Sequence, residues 1–344
     1  MSDLRLESSL DGGRHGGIAA GVFAVLALAA IGLTRLYSFL LFHSLAELFS
    51  VVIALGIFML VWHSRRITNL PYFLFIGVWG LATAVIDVLH VLAFQGMGVF
   101  SGDTSNLATQ LWIAGRWIDC LSLFAAPFFI GRKLKPHLLL TAAALVLASV
   151  LFLIFATNLF PDMYVAGKGL TPLKKISEYA ISGIFVLAAV NLAAHRKAFD
   201  ARVFGLLIAM LALKAAAEVT FTLYVGVNDG FNMVGHMIRV VARAFLYMGV
   251  VSTGFEKPYR LLFLDLKRHE EELASALSKV KQLSGLLPIC AGCKKIRNDL
   301  GYWEQIEAYI SEHSQAEFSH GLCPECARRL YPEYADREEE ARGS

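Results

Sequence analysis

Charge is what this chain has least of. Asp, Glu, Lys and Arg supply 17% of its 344 residues, and mean hydropathy is +0.57. Soluble domains carry about 25% charged residues, so the shortage excludes an ordinary soluble protein. A secretory leader does not explain it, because the apolar runs are too many and no small-residue cleavage site follows the first. A phosphate-cradling glycine loop and a phospho-acceptor histidine motif are missing as well; His269 before EEEL is a weak match on its own. The stretch from 256 to 344 is too short for a kinase core with its ATP-binding domain, or for a cyclase domain. No internal repeat of the transporter kind is visible, and HSLAE lacks the second histidine of the zinc-protease helix. Cysteine is scarce too: Cys120 stands alone in an apolar run, and the other four form two Cys-x-x-Cys pairs near the C-terminus.

What remains is an all-α membrane protein. About 20 apolar residues cross the hydrocarbon core as a helix, and eight stretches qualify: 17–35, 38–62, 70–94, 107–131, 137–159, 174–194, 202–225 and 230–253. Turn chemistry or charge separates them, most briefly at Arg35–Ser38. Alternate loops carry Arg65, Arg66, Arg132, Lys133, Lys135, Arg196, Lys197 and Arg202, against Arg35, Lys168, Lys174 and Lys175 on the other side. Basic loops stay cytoplasmic, so both termini are expected inside a bacterial inner membrane. The expected organisation is a tail at 1–16, an eight-helix transmembrane bundle at 17–255, a linker at 256–285, a zinc module at 286–334 and a disordered acidic tail at 335–344.

The second helix carries His43 and Glu47 where lipid is expected. They have company: Asp87 and His90, Arg116 and Asp119, Glu178, Lys214 and Glu218, and His236, Arg239 and Arg243. Helices alternate in direction, yet most of these groups fall in the outer half of the bilayer. Spacings of three and four place each set on one helix stripe, and charged stripes face the bundle interior. The expected ligand-binding residues are therefore His43, Glu47, Asp87, His90, Arg116, Asp119, Glu218, His236 and Arg239. Three histidines with carboxylates suit a transition metal, two histidines suit axial ligation of haem, and the same groups could hydrogen-bond a polar ligand or a quinone head group. Lys214–Glu218 and Arg116–Asp119 are also readable as ion pairs that lock helices together.

FHSLAELFSVVIA, followed by DVLH, GRWIDC and GHMIRV, resembles the third family of bacterial membrane-associated sensor domains, over about residues 17–255. That resemblance implies a signal-input role, and the positions matching its polar motifs are His43, Glu47, Asp87, His90, Arg116, Asp119, His236 and Arg239.

Beyond Pro258, Leu266, Leu273, Val280 and Leu287 recur every seven residues, with Phe263 and Leu277 at the companion position and Glu270 and Ser284 as interruptions. A short parallel coiled coil in a homodimer is expected. Then come Cys290-x-x-Cys293 and Cys323-x-x-Cys326, four thiolates at the spacing of a tetrahedral zinc site. Cytoplasmic placement disfavours disulfides. CAGC reads as a knuckle turn and CPECARRLY as a pair opening a helix, while Trp303, Ile306, Tyr309 and Ile310 read as one buried helix face. So small a module needs a staple, which zinc supplies. The segment resembles a four-cysteine module that follows sensory or receiver domains in bacterial signalling proteins.

The expected function is a membrane sensor without catalytic output of its own. It takes a metal, haem or small ligand at the polar cluster and signals to a cytoplasmic protein partner. Its surroundings are membrane lipid, and no nucleic acid is expected. A membrane metalloenzyme acting on a lipid or small apolar substrate is the alternative, and a transporter using Lys214, Glu218 and Asp119 the third reading.

Overall fold

The computed structural model describes residues 22, 25–65, 70–157, 159–223, 229–253, 257–279 and 286–332. The expected tails at 1–16 and 335–344 lie outside those residues. The chain is mostly helical and divides into two compact units, Met1–Leu261 and Leu262–Ser344.

In the first unit the helices are α1 (Val25–Leu36), α2 (Phe39–Ser64), α3 (Pro71–Ala93), α4 (Ser105–Ala125), α5 (Pro136–Phe155), α6 (Pro172–Ala194), α7 (Ala201–Leu223) and α8 (Gly230–Val251). Their starts have local causes. Pro71, Pro136 and Pro172 occupy first helical positions, where a missing N–H costs nothing. The Thr171 side chain caps α6 by accepting from Lys174 N, and Asp229 caps α8 by accepting from Phe231 N. The short break expected at Arg35–Ser38 is there: a 3-10 turn at Thr34–Leu36 ends α1, and extended Ser38 precedes α2. Helix α4 stops at Ala125, earlier than the expected 131, because the chain tightens into a 3-10 turn around Pro127.

Among the described residues, six helices are long and apolar enough to cross a membrane: α2, α3, α5, α6, α7 and α8. Helix α4 is as long as these but too polar to qualify by composition. Packing explains the discrepancy. Helices α2, α3, α4, α6, α7 and α8 close a ring in that order, with α8 returning to α2. Helix α5, the most apolar, lies outside the ring against α3 and α4, with only Ala143 and Ile154 buried. The helix with the least lipid character is thus enclosed, and the one with the most stays on the periphery.

Close approach within the ring depends on glycine. A Cβ on Gly235 of α8 would lie 2.5 Å from Thr220 Oγ1 and 2.6 Å from the Phe221 ring on α7. At Gly115 of α4 it would meet Ile86 Cγ2 at 3.3 Å and Asp87 Oδ1 at 3.5 Å. Between α5 and α6 the chain forms a small antiparallel hairpin, β1 (Tyr164–Val165) with β2 (Gly169–Leu170). Helix α4 ties it down: Asn106 Oδ1 accepts from Met163 N and Tyr164 N, and Gln110 Nε2 donates to the Phe160 and Pro161 carbonyls.

In the remainder of the chain, α9 runs from Lys257 to Lys279. Leu266, Leu273, Phe263 and Leu277 are all exposed on it. The expected heptad run is shorter than its sequence pattern: Leu287 lies in a segment without regular structure, and Val280 falls outside the described residues. The cysteine segment holds the ribbon β3 (Ile296–Arg297) with β4 (Trp303–Glu304), then α10 (Ile306–His313) and α11 (Pro324–Leu330). Trp303 therefore belongs to a strand, not to the helix face expected for it, and is about half exposed. Tyr309 is the buried residue of α10.

Candidate sensor site

The polar stripes face the ring interior. His43, Glu47, Asp87, His90, Arg116, Asp119, Glu218, His236 and Arg239 are each at most 5% exposed. They meet near the end of the bundle at which α2, α4 and α8 begin and α3 and α7 finish.

Three histidines come together there. His90 Nδ1 lies 2.8 Å from the Ala108 carbonyl, and its Nε2 lies 3.2 Å from His43 Nε2. A carbonyl only accepts, so His90 Nδ1 carries a proton. In the neutral ring Nε2 then offers a lone pair, and His43 Nε2–H donates to it. That leaves a lone pair on His43 Nδ1, which is buried without a hydrogen-bond partner among the described residues. His236 stands across from His43, with ring centroids 4.8 Å apart, and its Nδ1 is 2.9 Å from Glu47 Oε1. Phe94 stacks on His43 at 3.9 Å between centroids. The histidines line a cavity of about 40 Å³ that also touches Gln95, Ser105 and Trp112.

Below the histidines lies a continuous ion network. Arg239 of α8 bridges two helices, reaching Glu47 of α2 at 2.5 Å and Asp87 of α3 at 2.7 Å. Asp87 also takes Arg116 of α4 at 2.5 Å, and Arg243 stands 3.8 Å away. Asp119 bonds Lys214 of α7, with Arg116 at 3.7 Å and Arg243 at 3.9 Å. Glu218 sits apart, its Oε2 without a hydrogen-bond partner among the described residues. Four carboxylates (Glu47, Asp87, Asp119, Glu218) thus face four cations (Arg116, Lys214, Arg239, Arg243), all buried. The group is electroneutral when the histidines are neutral, as burial away from water demands.

One pairing differs from the sequence expectation: Lys214 reaches across to Asp119 instead of its helix neighbour Glu218. The expected Arg116–Asp119 pair is present at 3.7 Å, beside a shorter contact of Arg116 with Asp87. Interhelical partners at this depth approach closer than side chains one turn apart. Lys174, counted among loop charges, is buried inside the first turn of α6, with Nζ 2.7 Å from both Glu178 Oε1 and the Phe221 carbonyl.

This sequence belongs to the MASE3 family. The model of that family, a membrane-associated sensor domain, matches residues 34–258, which hold the entire ring and its network. No curated protein and no solved structure matches the chain.

Within the MASE3 domain, sequence reasoning missed the part played by Trp112. Its ring lies under two guanidiniums, with Arg239 4.6 Å and Arg116 4.9 Å from the centroid, and beside His90 and His236. An aromatic side chain on a helix carries no sequence signal of that kind. Arg243 was noticed on its stripe but not placed in the site, and its two long contacts join Asp87 to Asp119.

The four paired cysteines lie beyond the matched segment. CAGC is a tight turn in which Cys290 N donates to Lys295 O and Lys294 N donates to Cys290 O, with Lys294 at φ 60°. Cys323 is the N-cap of α11, its sulfur accepting from Cys326 N at 3.4 Å. Backbone N–H groups of Cys293 and Gly292 hold the Cys290 thiol below the usual range, and that of Cys326 does the same for Cys323. Each pair is built locally. Among the described residues, the one group of three potential metal ligands whose atoms lie within 4.8 Å of one another is instead His43, Glu47 and His236.

Proposed function

We propose that this MASE3 protein is a membrane receptor of eight spanning segments, a first over residues 17–35 that includes most of α1 and then α2 to α8, whose input acts on the histidine-capped ion network and whose response is a movement of α8. One observation carries the reading: Arg239 of α8 is the shared partner of Glu47 on α2 and Asp87 on α3. Anything that changes the charge or contacts of Glu47 changes what holds α8 in place. A buried ion network has discrete pairings instead of a continuum, which suits a two-state element.

Helix α8 is followed closely in the chain by α9, whose exposed Leu266, Leu273, Phe263 and Leu277 would pair with a second copy. Zinc at Cys290, Cys293, Cys323 and Cys326 would then order a surface for a soluble signalling protein. The lowered thiols of Cys290 and Cys323 favour that chemistry. The basic loops support cytoplasmic termini in an inner membrane, and the burial of Lys174 takes one of the four opposing charges out of that comparison. Haem fits the site poorly. A cavity of about 40 Å³ is far below the several hundred Å³ usual for cofactor pockets. Moreover, the facing Nε2 atoms of His43 and His90 bond each other without room for iron between them.

The test is disulfide cross-linking of Leu266→Cys in membranes, in a chain otherwise free of cysteine, with and without Arg239→Gln. A dimer that cross-links at Leu266 and changes its rate several-fold on loss of Arg239 is expected. Equal rates in the two chains refute the link from network to linker.

A further inference from the structure

Acceptor atoms of His43 and His236, which line the cavity, and of Glu47 one turn along α2 have a common chemistry. His43 Nδ1 holds a lone pair, because its Nε2–H is committed to His90 and His90 is in turn pinned by the Ala108 carbonyl. Glu47 Oε2 is buried and has no hydrogen-bond partner among the described residues, while Oε1 of the same carboxylate takes Arg239. His236 Nδ1 stands 2.9 Å from that Oε1 but makes no hydrogen bond among the described residues, and its neutral ring offers a lone pair on one nitrogen; one ligand atom from each of His43, Glu47 and His236 lies within 4.8 Å of the others. Two orphaned acceptors one helical turn apart on α2 thus face a third ligand from α8. A cation or a hydrogen-bond donor is the complement of such a set.

Size separates the two. The adjoining cavity of about 40 Å³ holds an ion with one or two waters, whereas a ring-sized organic head group needs considerably more. Two imidazoles and one carboxylate, with a small cavity beside them, match the donor set of a three-ligand site with an open position. Imidazole-rich sites favour the later divalent ions of the first transition row over magnesium or calcium. His90 takes the place of the outer partner that orients a ligating histidine by receiving its second ring N–H.

We propose that His43, Glu47 and His236 bind one late divalent transition-metal ion, such as cobalt, nickel, copper or zinc, with His90 as the positioning residue for His43. The inference rests on the sensor reading above and supplies its input. A dication held by His43 and Glu47 of α2 and His236 of α8 would tether the two helices there while offsetting the carboxylate charge that holds Arg239, and so shift how α8 is partnered.

The experiment is a Co(II) titration of the full-length protein in nanodiscs, with Cys290, Cys293, Cys323 and Cys326 replaced by serine. One saturable equivalent with visible d–d absorption is expected. Its affinity should fall at least tenfold in His43→Gln and in His236→Gln, and about 10- to 100-fold in His90→Phe. In the unmodified chain the same site should read as a cobalt equivalent without thiolate-to-metal charge-transfer absorption, a readout that survives if the serine variant does not fold. Absence of that equivalent from both chains overturns the proposal. So does binding that is undiminished in helical, folded His43→Gln and His236→Gln. Either result would leave the link between Arg239 and α9 standing, because the cross-linking test uses no metal.

Discussion

Replacing Asp87 with asparagine is the sharpest perturbation of the network. The carboxylate accepts from Arg116 at 2.5 Å and from Arg239 at 2.7 Å, and Arg243 lies 3.8 Å away. Asparagine keeps one acceptor oxygen and turns an N–H₂ group toward a guanidinium, so one charge-assisted bond is lost outright and the other weakens. Each such bond is worth about 1.5–3 kcal/mol. The four-against-four charge balance also becomes four cations against three anions in a site without bulk water. Breaking a buried pair from one side costs about 3–5 kcal/mol, and both estimates converge there. For a unit of this size that corresponds to a fall in Tm of about 6–20 °C, from roughly 2–4 °C per kcal/mol. Thermal unfolding in nanodiscs followed by circular dichroism reads it. Two companions sharpen the result. Arg116→Gln combined with Asp87→Asn restores neutrality and should recover about 1–3 kcal/mol of the summed single-mutant losses. Glu218→Gln removes the same unit of charge but a carboxylate whose Oε2 has no hydrogen-bond partner among the described residues, so it should cost less than Asp87→Asn. If Asp87→Asn lies within about 1 kcal/mol of the parent, or Glu218→Gln is equally damaging, the network is hydrated and screened, and the reasoning from burial fails.

Further outcomes follow from individual contacts. Gly235→Ala pushes a methyl into Thr220 and Phe221 and should destabilise the α7–α8 contact by about 1–3 kcal/mol, read as a lower Tm. Lys174→Met leaves Glu178 without its ion pair and should be more harmful than Lys174→Met with Glu178→Leu, by the asymmetry of half-broken and fully replaced buried pairs; the reverse order would show Glu178 already neutral or hydrated. Chelation of zinc should speed alkylation of the four C-terminal cysteines several-fold, while buried Cys120 stays unmodified until denaturation, as mass spectrometry of the labelled peptides would report. Because the Cys290 and Cys323 thiols are held below the ordinary range, their thiolates persist to lower pH. In the metal-free module their labelling should therefore fade at a lower pH than that of a free thiol.

The spans illustrate how much could be read in advance and why the rest could not. Apolar length and turn residues located helices α2 to α8 to within a few residues at most ends, because a bilayer demands about 20 apolar residues and proline or charge ends the run. The six-residue overrun at the end of α4 came from reading Pro127 and the phenylalanines after it as helix. The hairpin β1–β2 was invisible, since two-residue strands carry no periodicity and Asn106 and Gln110 hold this one from another element.

Residue composition already makes this a membrane protein, and helical spacing already sets its charged residues on inward stripes. Hydrocarbon excludes charge, so composition and helical spacing suffice for both. Only tertiary structure decided which helices enclose the site, that polar α4 lies in the ring while apolar α5 lies outside it, and that Lys214 serves Asp119 and Arg239 joins Glu47 to Asp87. Those choices depend on which helix stands beside which. Partners on neighbouring helices meet across a few ångströms that no spacing along one chain encodes.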